Sequence, residues 1–369
     1  MKRSNKSYYI GGLFLLLLMA GTFYYMLRDS GLSALSAVAG ELNPLFLLCG
    51  LACVFVFISC EGLNIRLLMG SMGQRLSVAD SVKFAFVGFY FSAITPSASG
   101  GQPMQIYFMQ REKCPVSLST LSFLVIGGVY QIVMLCFGGL MFLAESSFLS
   151  ANVRGIHILL FYGMAVNLVL ISLIFLVILC PNVIRRLAGF LVRLLGRLKL
   201  IKKQDRALKA VERYIEEYKQ GARHIKRNPK TLLMVFLVTA VQLTAFYSVP
   251  FFVYQAMGLS GHSYLEIIAT ECILMISVSS LPLPGAVGAS EMSFLTIFRG
   301  IFGENVVSAA LLSRGISFYS YLVISGLVTA VTYIRVSRRR QRDSKYKAGG
   351  REIFHPRNNS HEIDKRIET

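Results

Sequence analysis

The chain reads Thr95-Pro96-Ser97-Ala98-Ser99-Gly100-Gly101-Gln102-Pro103 in the middle of an otherwise apolar segment. Apolar residues run from Phe84 to Ile94 before this polar turn, and a mixed apolar stretch resumes from Met104 to Met109. Each arm is about 10 residues, or about 15 Å as a helix, which is roughly half of a bilayer core. Two such arms joined by a turn predict a re-entrant hairpin. Backbone at membrane depth needs cover from protein or a wet cavity, so the turn also predicts a cavity near the bilayer midplane.

A second apolar segment is interrupted in the same way. Residues 265–280 are mostly apolar with Glu271 inside the run, residues 281–291 form a turn rich in Pro and Gly, and residues 292–302 are mostly apolar again. The turn carries Pro284, Gly285, Gly288 and Glu291. This pattern predicts a second re-entrant hairpin.

The remaining apolar runs are long enough to cross a bilayer. Hydrophobic residues make up 54% of the 369 residues, which indicates a polytopic membrane protein of the all-α class. About 20 apolar residues suffice for one crossing. Six full transmembrane helices are predicted, over residues 8–27, 44–69, 116–143, 156–180, 231–254 and 306–334.

Positive charge is concentrated beside the predicted spans. The chain has 38 Lys and Arg against 19 Asp and Glu, and the segment 181–230 alone carries fifteen basic and four acidic residues. The positive-inside rule explains this placement and puts both termini in the cytoplasm, whereas a nucleic-acid partner is not expected. The membrane domain is predicted to cover residues 1–335, including the basic loop 181–230. A basic, disordered cytoplasmic tail is predicted for residues 336–369. The loop and the tail are expected to attract anionic lipids of the inner leaflet.

The order of elements repeats with opposite direction. Span, span, hairpin and span are followed by span, span, hairpin and span, and the first half starts inside whereas the second starts outside. This order predicts an inverted repeat, in which broken segments at corresponding positions mark a binding site.

The two turns together resemble a known family. The stretch Thr95–Pro103, the pattern Pro282-x-Pro-Gly-x-x-Gly-x-x-Glu291, the group Glu61, Asn64 and Arg66, and Arg314 in the last span are similar to the lysylphosphatidylglycerol synthase transmembrane family. That family contains the flippase-like domain of bacterial multiple peptide resistance factors and its stand-alone relatives. The resemblance covers residues 8–335. Ala286 departs from it, because a second Gly is common at that position in the family.

The resemblance implies a function and a setting. Members of the family are thought to move aminoacylated or glycosylated lipids between leaflets, so the expected substrate is a phospholipid or glycolipid with a polar headgroup. The expected location is a bacterial cell membrane, the expected process is antimicrobial peptide resistance, and the partners considered are a second copy of the chain and a separate lipid-modifying synthase. The soluble aminoacyl-transfer domain of the full-length factors lies outside the resemblance, which leaves the lysyl-lipid substrate open.

Ionisable and polar groups at membrane depth are the candidate substrate-binding residues, because such groups usually face a cavity or a partner. Arg314 is expected to meet a lipid phosphate or Glu291, and a structural Arg–Glu pair is the alternative. Glu61 and Arg66 are expected to find partners on other helices, and a snorkelling anchor near the membrane interface is the favoured alternative for Arg66. The hydroxyls of the first turn either bind a headgroup or satisfy the turn backbone. The full candidate set is Glu61, Asn64, Arg66, Thr95, Pro96, Ser97, Ser99, Gly100, Gly101, Gln102, Glu271, Pro284, Gly285, Gly288, Glu291 and Arg314.

Three functional classes remain open at the level of sequence. A lipid flippase is the leading interpretation, a secondary transporter of a small polar solute is the first alternative, and an intramembrane lipid-modifying enzyme is the second. The seven cysteines form no C-x-x-C pair and the histidines have no metal-ligand spacing, so no metal or other cofactor is expected. No Walker-type phosphate-binding motif occurs, and no Ser/His or His/Asp constellation indicates catalysis, so no catalytic residue is proposed.

Overall fold

The computed structural model describes residues 40–95, 98–152, 156–179, 185–186, 189–190, 192–193, 204–278 and 289–348. Every regular element within these ranges is helical. A short 3₁₀ turn, Gly303–Asn305, precedes α13, and a π-helical turn, Gly315–Tyr319, follows it. The helices are α1 (Pro44–Ser71), α2 (Val78–Ala93), α3 (Gly101–Arg111), α4 (Val116–Ala144), α5 (Ser146–Asn152), α6 (Ile156–Leu179), α7 (Gln204–Arg227), α8 (Pro229–Tyr247), α9 (Val249–Ala256), α10 (Tyr264–Val278), α11 (Ala289–Ile297), α12 (Arg299–Phe302), α13 (Val306–Arg314) and α14 (Ser320–Ala348).

Five helical segments of the described chain are long and apolar enough to cross a membrane. They match the second to sixth predicted spans and confirm an α-helical membrane protein, whereas the predicted first span, 8–27, lies outside the described residues. The five segments are Pro44–Ser71, Val116–Ala144, Leu160–Ile178, Pro229–Ala256 and Arg299–Val336.

Two of these segments are less regular than their sequences indicate. The fifth predicted span is divided at Ser248 into two helices, α8 and α9. Pro250, the second residue of α9, has no N–H to continue the helical hydrogen bonds of α8. The sixth contains the π-helical turn Gly315–Tyr319. Its last helix also continues to Ala348, so residues 336–348 are helical where disorder was predicted. Extending an existing helix through good helix formers such as Arg, Gln and Lys needs no new nucleation, which accounts for the difference.

Polar caps define where several helices begin. The Asn43 side chain accepts from the Leu45 N–H at 3.0 Å, directly before Pro44 opens α1. Ser77 accepts from the Asp80 N–H at 3.0 Å at the start of α2. Ser263 and Glu266 form a reciprocal capping box at the start of α10, with bonds of 3.2 and 2.8 Å. These residues explain why the helices start in short polar loops.

The core forms where spans distant in the sequence pack together. Helix α1 packs against α8, α9 and α2, and α10 packs against α4 and α6. Tyr247, Tyr254 and Tyr321 are among the largest fully buried side chains. Many large apolar side chains of α1 and α6 are exposed instead, which fits surfaces that face lipid. Examples are Leu45, Leu48, Phe55, Phe161, Leu168 and Leu173.

Helices α2 and α3 pack against each other as an antiparallel hairpin. Lys83 pairs with Glu112 at 3.5 Å at the open end, and the Gln105 amide donates to the Phe84 carbonyl at 3.1 Å further along. Near the turn, a Cβ on Gly101 would lie 2.9 Å from the Gly88 carbonyl oxygen and against the Ser92 hydroxyl. The glycines therefore permit this close approach of the two arms. The arms have 16 and 11 residues, or about 24 and 16 Å as helices.

Helix α7 packs across the ends of two spans. The Ser117 hydroxyl at the start of α4 donates to Glu217 at 2.5 Å, and the Tyr218 hydroxyl donates to the Val177 carbonyl near the end of α6 at 3.4 Å. Burial raises the pKa of Tyr218 to about 12, so its hydroxyl remains a donor at neutral pH. Gly221 allows close contact, because a Cβ there would meet Leu118 at 2.7 Å.

The chain divides into two compact units, Met1–Thr329 and Ala330–Thr369. All of the contacts described here lie within the first unit. The described part of the second unit is the end of α14.

Candidate functional site

A buried ion pair forms the centre of the candidate site. The Arg314 Nε lies 2.9 Å from the Glu291 Oε1, and the side chains are 18% and 4% exposed. Glu291 is the third residue of α11, where the positive end of the helix dipole favours a carboxylate. Arg314 is the last residue of α13, where the chain continues directly into the π-helical turn. The structure thus brings Arg314 to Glu291, one of the two partners expected for it from sequence.

A second carboxyl group, that of Glu271, faces the same cavity. Glu271 lies in the middle of α10 and is 5% exposed, and its Oε2 is buried without a hydrogen-bond partner among the described residues. Arg314 lines the same cavity. Two carboxyl groups therefore share one guanidinium group, so the site is short of one positive charge or one proton.

The cavity between these groups is small. Its volume is about 30 Å³, and Ser290 and Ser313 add hydroxyl groups to its lining. A single water needs about 10–15 Å³, so about two waters fit and a lipid headgroup does not. The apolar part of the lining comes from Phe246, Val249, Pro250, Leu274, Met275, Phe294 and Ala310. Ala309 and Ala310 are fully buried on α13, and such small residues let neighbouring helices approach closely.

The π-helical turn connects the cavity to the first hairpin. Arg314 immediately precedes this turn, and its guanidinium lies 5.4 Å from the centre of the Phe318 ring. Phe318 packs in one apolar cluster with Ala93 at the end of α2, next to the polar turn of the first hairpin. One aromatic side chain therefore separates the ion pair from that hairpin. Turns of this kind occur frequently at functional sites.

A separate polar network joins α1 to α8. The Asn64 amide donates to the Thr239 hydroxyl at 3.0 Å and to the Gln242 Oε1 at 3.3 Å. The Gln242 amide donates to the Glu61 Oε2 at 3.1 Å. Glu61 therefore has the partner on another helix that was expected for it. Neither Glu61 nor Asn64 lines the cavity around Arg314, so the candidate residues form two groups.

Arg66 has different surroundings from Glu61 and Asn64. It is exposed, and its Nε donates to the Leu76 carbonyl at 3.3 Å, in the loop that follows its own helix. Of the two interpretations drawn from sequence, the structure favours the snorkelling anchor over a partner on another helix, because a long arginine side chain near a helix end reaches interfacial carbonyls more easily than the bundle interior.

The first turn uses one candidate hydroxyl within its own backbone. Thr95 Oγ1 donates to the Phe91 carbonyl at 2.6 Å and accepts from the Gly100 N–H at 2.8 Å. A Cβ on Gly100 would lie 2.6 Å from the Thr95 side chain, so glycine is required there. The structure thus supports the backbone-satisfying role for Thr95, and headgroup binding by this turn stays a prediction.

Other candidates are positioned with less detail. Gln102 lies in the first turn of α3, and its Nε2 is 3.9 Å from where a Cβ on Gly127 of α4 would stand. Ser99 directly precedes Gly100 in the turn. The predicted site residues Pro96, Ser97, Pro284, Gly285 and Gly288 lie outside the described residues.

Sequence reasoning missed the partners of two candidates. Gln242 and Thr239 bind Asn64, and both are buried polar residues within an apolar span. A polar amide in the middle of a span is a signal that could have identified Gln242. Among the described residues, no group of three or more His, Cys, Asp or Glu is arranged to hold a metal ion.

Long apolar helices around a buried ion pair and a further carboxyl group define the class, an α-helical membrane protein with a polar interior site. The chain belongs to the family described as the lysylphosphatidylglycerol synthase TM region, whose model matches residues 10–325. It is also similar to a protein named UPF0104 membrane protein from Archaeoglobus fulgidus, with 22% identity over 281 residues. That match covers 74% of this chain and 82% of the relative. The family resemblance drawn from the two turns is confirmed.

Proposed function

We propose that the protein is a lipid transporter of the flippase type, which moves a phospholipid or glycolipid with a polar headgroup between leaflets. The observation that carries the proposal is the Glu291–Arg314 ion pair with Glu271 beside it, enclosed by helices with apolar outer surfaces. Charged groups at such positions usually mark a substrate or ion pathway. Arg314 would bind the phosphate group, and Glu271 would respond to charge on the headgroup. The lipid-related family supports this assignment.

The proposed membrane arrangement has six full spans, two re-entrant hairpins in an inverted repeat, and both termini in the cytoplasm. The antiparallel pair α2 and α3 supports the first hairpin, because both arms are shorter than the roughly 30 Å of a bilayer core. Helices α10 and α11 also contact each other, which supports the second. In this arrangement α1 and the α8–α9 segment are the corresponding spans, and they pack against each other as a repeat interface would.

Transport of a lipid requires the cavity to open. A volume of about 30 Å³ corresponds to a closed state, so the headgroup would enter only after α10, α11 and α13 separate. In this mechanism the headgroup displaces Glu291 from Arg314, and the acyl chains stay in the surrounding hydrocarbon. The protein would act without covalent chemistry, as a transporter and not an enzyme.

A leaflet assay tests the proposal. Purified protein is reconstituted in vesicles that contain a fluorescent headgroup-labelled phospholipid, and a membrane-impermeant quencher reports the fraction that changes leaflet. We expect faster exchange with wild type than in protein-free vesicles, and at least tenfold slower exchange with Arg314→Ala. Arg299→Ala is the matched control, because Arg299 is exposed and does not line the cavity. Equal exchange in wild-type and protein-free vesicles would refute the proposal.

A secondary transporter of a small polar solute is the second candidate. The small volume of the cavity favours it, since a small solute needs less opening than a headgroup. Saturable uptake of a soluble solute without lipid exchange would support this candidate against the flippase.

A further inference from the structure

A basic pocket lies between helix α7 and the described residues Arg185, Arg186, Gly189 and Arg193. Its volume is about 540 Å³, which is far larger than the cavity around Arg314. Three arginines, Arg185, Arg186 and Arg193, line it together with Glu212, Leu208 and Val211. A pocket of this size accommodates a phosphorylated headgroup.

The charges in the pocket are unbalanced. Arg185 Nη2 pairs with Glu212 Oε1 at 3.0 Å, and among the described residues that line the pocket one carboxylate faces three guanidinium groups. Arg193 folds back along its own helical segment, where its Nε donates to the Gly189 carbonyl at 3.1 Å. The pocket therefore has an excess of two positive charges and several N–H donors in one place. Guanidinium groups bind phosphate oxygens through paired hydrogen bonds, which lysines cannot reproduce.

The pocket is also held close to the end of a span. Glu212 lies six residues before Tyr218 on α7, or about 9 Å along the helix, and Tyr218 contacts the Val177 carbonyl near the end of α6. Phe190, on the segment that carries the arginines, is 59% exposed. An exposed aromatic side chain beside a cationic pocket is the combination that an interfacial segment presents to lipid.

We propose that Arg185, Arg186 and Arg193 form a binding site for the phosphate group of an anionic phospholipid, separate from the cavity around Arg314. The excess charge selects an anion, the guanidinium groups select phosphate, and Phe190 and the nearby span end place the site at the membrane surface. Glu212 holds Arg185 in position and at the same time lowers the affinity for an anion. The site does not depend on transport activity.

Binding of a soluble short-chain lipid tests this site. The full chain is reconstituted in nanodiscs of phosphatidylcholine alone and titrated calorimetrically with dihexanoylphosphatidylglycerol. Empty nanodiscs and dihexanoylphosphatidylcholine are the controls for partitioning. We expect saturable binding of the anionic lipid that weakens roughly twentyfold in Arg186→Gln/Arg193→Gln, at about fivefold for each basic group near the membrane surface. In Glu212→Gln we expect tighter binding, because the carboxylate that lines the pocket loses its charge.

Removing one positive charge outside the pocket distinguishes a specific binding site from general electrostatic attraction of the anionic lipid to the basic segment. Arg223 lies on the same helix, is exposed, and pairs with Glu216 at 3.3 Å. The variant Arg223→Gln should leave the affinity within about twofold of wild type. An equal loss of affinity in Arg223→Gln and in Arg186→Gln alone would overturn the proposal. The absence of saturable binding to the wild-type protein would overturn it as well. Titration with inorganic phosphate shows whether the ligand is a lipid or a soluble phosphate. An affinity for phosphate equal to that for the short-chain anionic lipid supports a soluble phosphate ligand at the same site, and a much lower affinity supports the lipid.

Discussion

Removal of Arg314 should destabilise the protein more than removal of the whole ion pair. In Arg314→Met, the Glu291 carboxylate would remain 4% exposed without the guanidinium that now lies 2.9 Å away. Breaking a buried pair on one side costs about 3–5 kcal/mol, because an uncompensated charge stays in a region of low dielectric constant. Glu271 increases the cost, since a second carboxyl group of the same cavity would also lose its cation. We therefore expect a loss near the upper end of this range.

The double variant Arg314→Met/Glu291→Gln should recover much of this loss. Replacing both partners removes the charge imbalance, so we expect the double variant to lose at least about 2 kcal/mol less than the sum of the two single variants. The assay is equilibrium unfolding in mixed micelles of dodecyl maltoside and dodecyl sulfate, followed by circular dichroism. Arg299→Met, a change of an exposed arginine, should stay within about 0.5 kcal/mol of wild type. Additive effects of the two single variants, or single losses below about 1 kcal/mol, would refute the electrostatic account.

Three further predictions use the same unfolding measurement. Gly101→Ala should lower the free energy of unfolding by about 1–3 kcal/mol, because its Cβ would meet the Ser92 hydroxyl and the Gly88 carbonyl. Its control is Gly70→Ala, which should be neutral or stabilising because nothing lies within 4 Å of the new Cβ. Equal effects of the two variants would contradict the packing argument. Asn64→Ala should lower the free energy of unfolding by about 1–3 kcal/mol, since it removes hydrogen bonds to Thr239 and Gln242. Full additivity of Asn64→Ala and Thr239→Val in the double variant would show that the two side chains are not coupled. Glu271→Gln should leave the free energy of unfolding unchanged or raise it by up to about 1 kcal/mol, because the carboxyl oxygen Oε2 has no hydrogen-bond partner among the described residues. A loss above about 2 kcal/mol would show instead that the fold requires the charge of Glu271.

The helices and the main contact of the site followed from simple sequence patterns. The apolar runs predicted the spans to within a few residues, as for Pro44 to Ser71, because a helix in lipid needs a minimum apolar length. The polar turn at Thr95 predicted two short arms, and α2 and α3 are such arms. Glu291 was one of the two partners expected for Arg314, because a buried ion usually pairs with a group of opposite charge.

The rest depends on contacts between distant parts of the chain. The hydrogen bond between Asn64 and Thr239 joins residues 175 positions apart. The apolar sequences of α1 and α8 do not specify that these two helices pack together. The volume of the cavity is set by how closely Phe246, Leu274 and Phe294 pack around the charges, which no local pattern specifies. The exposed position of Arg66 agrees with a snorkelling anchor, but its partner was not predicted, since that partner is a loop carbonyl that any sequence could supply.

The π-helical turn makes the chain length around Arg314 critical. Such a turn contains one more residue than an α-helical turn, so deletion of Gly315 would allow one continuous α-helix through this point. The wider turn accommodates its extra residue, so the deletion would remove the bulge and leave the helical segments on either side nearly in phase. Arg314 and Phe318 would then lie three positions apart instead of four, which changes how the guanidinium lies against the Phe318 ring beside α2. A deletion at this position is therefore expected to alter the geometry of the Glu291–Arg314 pair without changing either of its side chains.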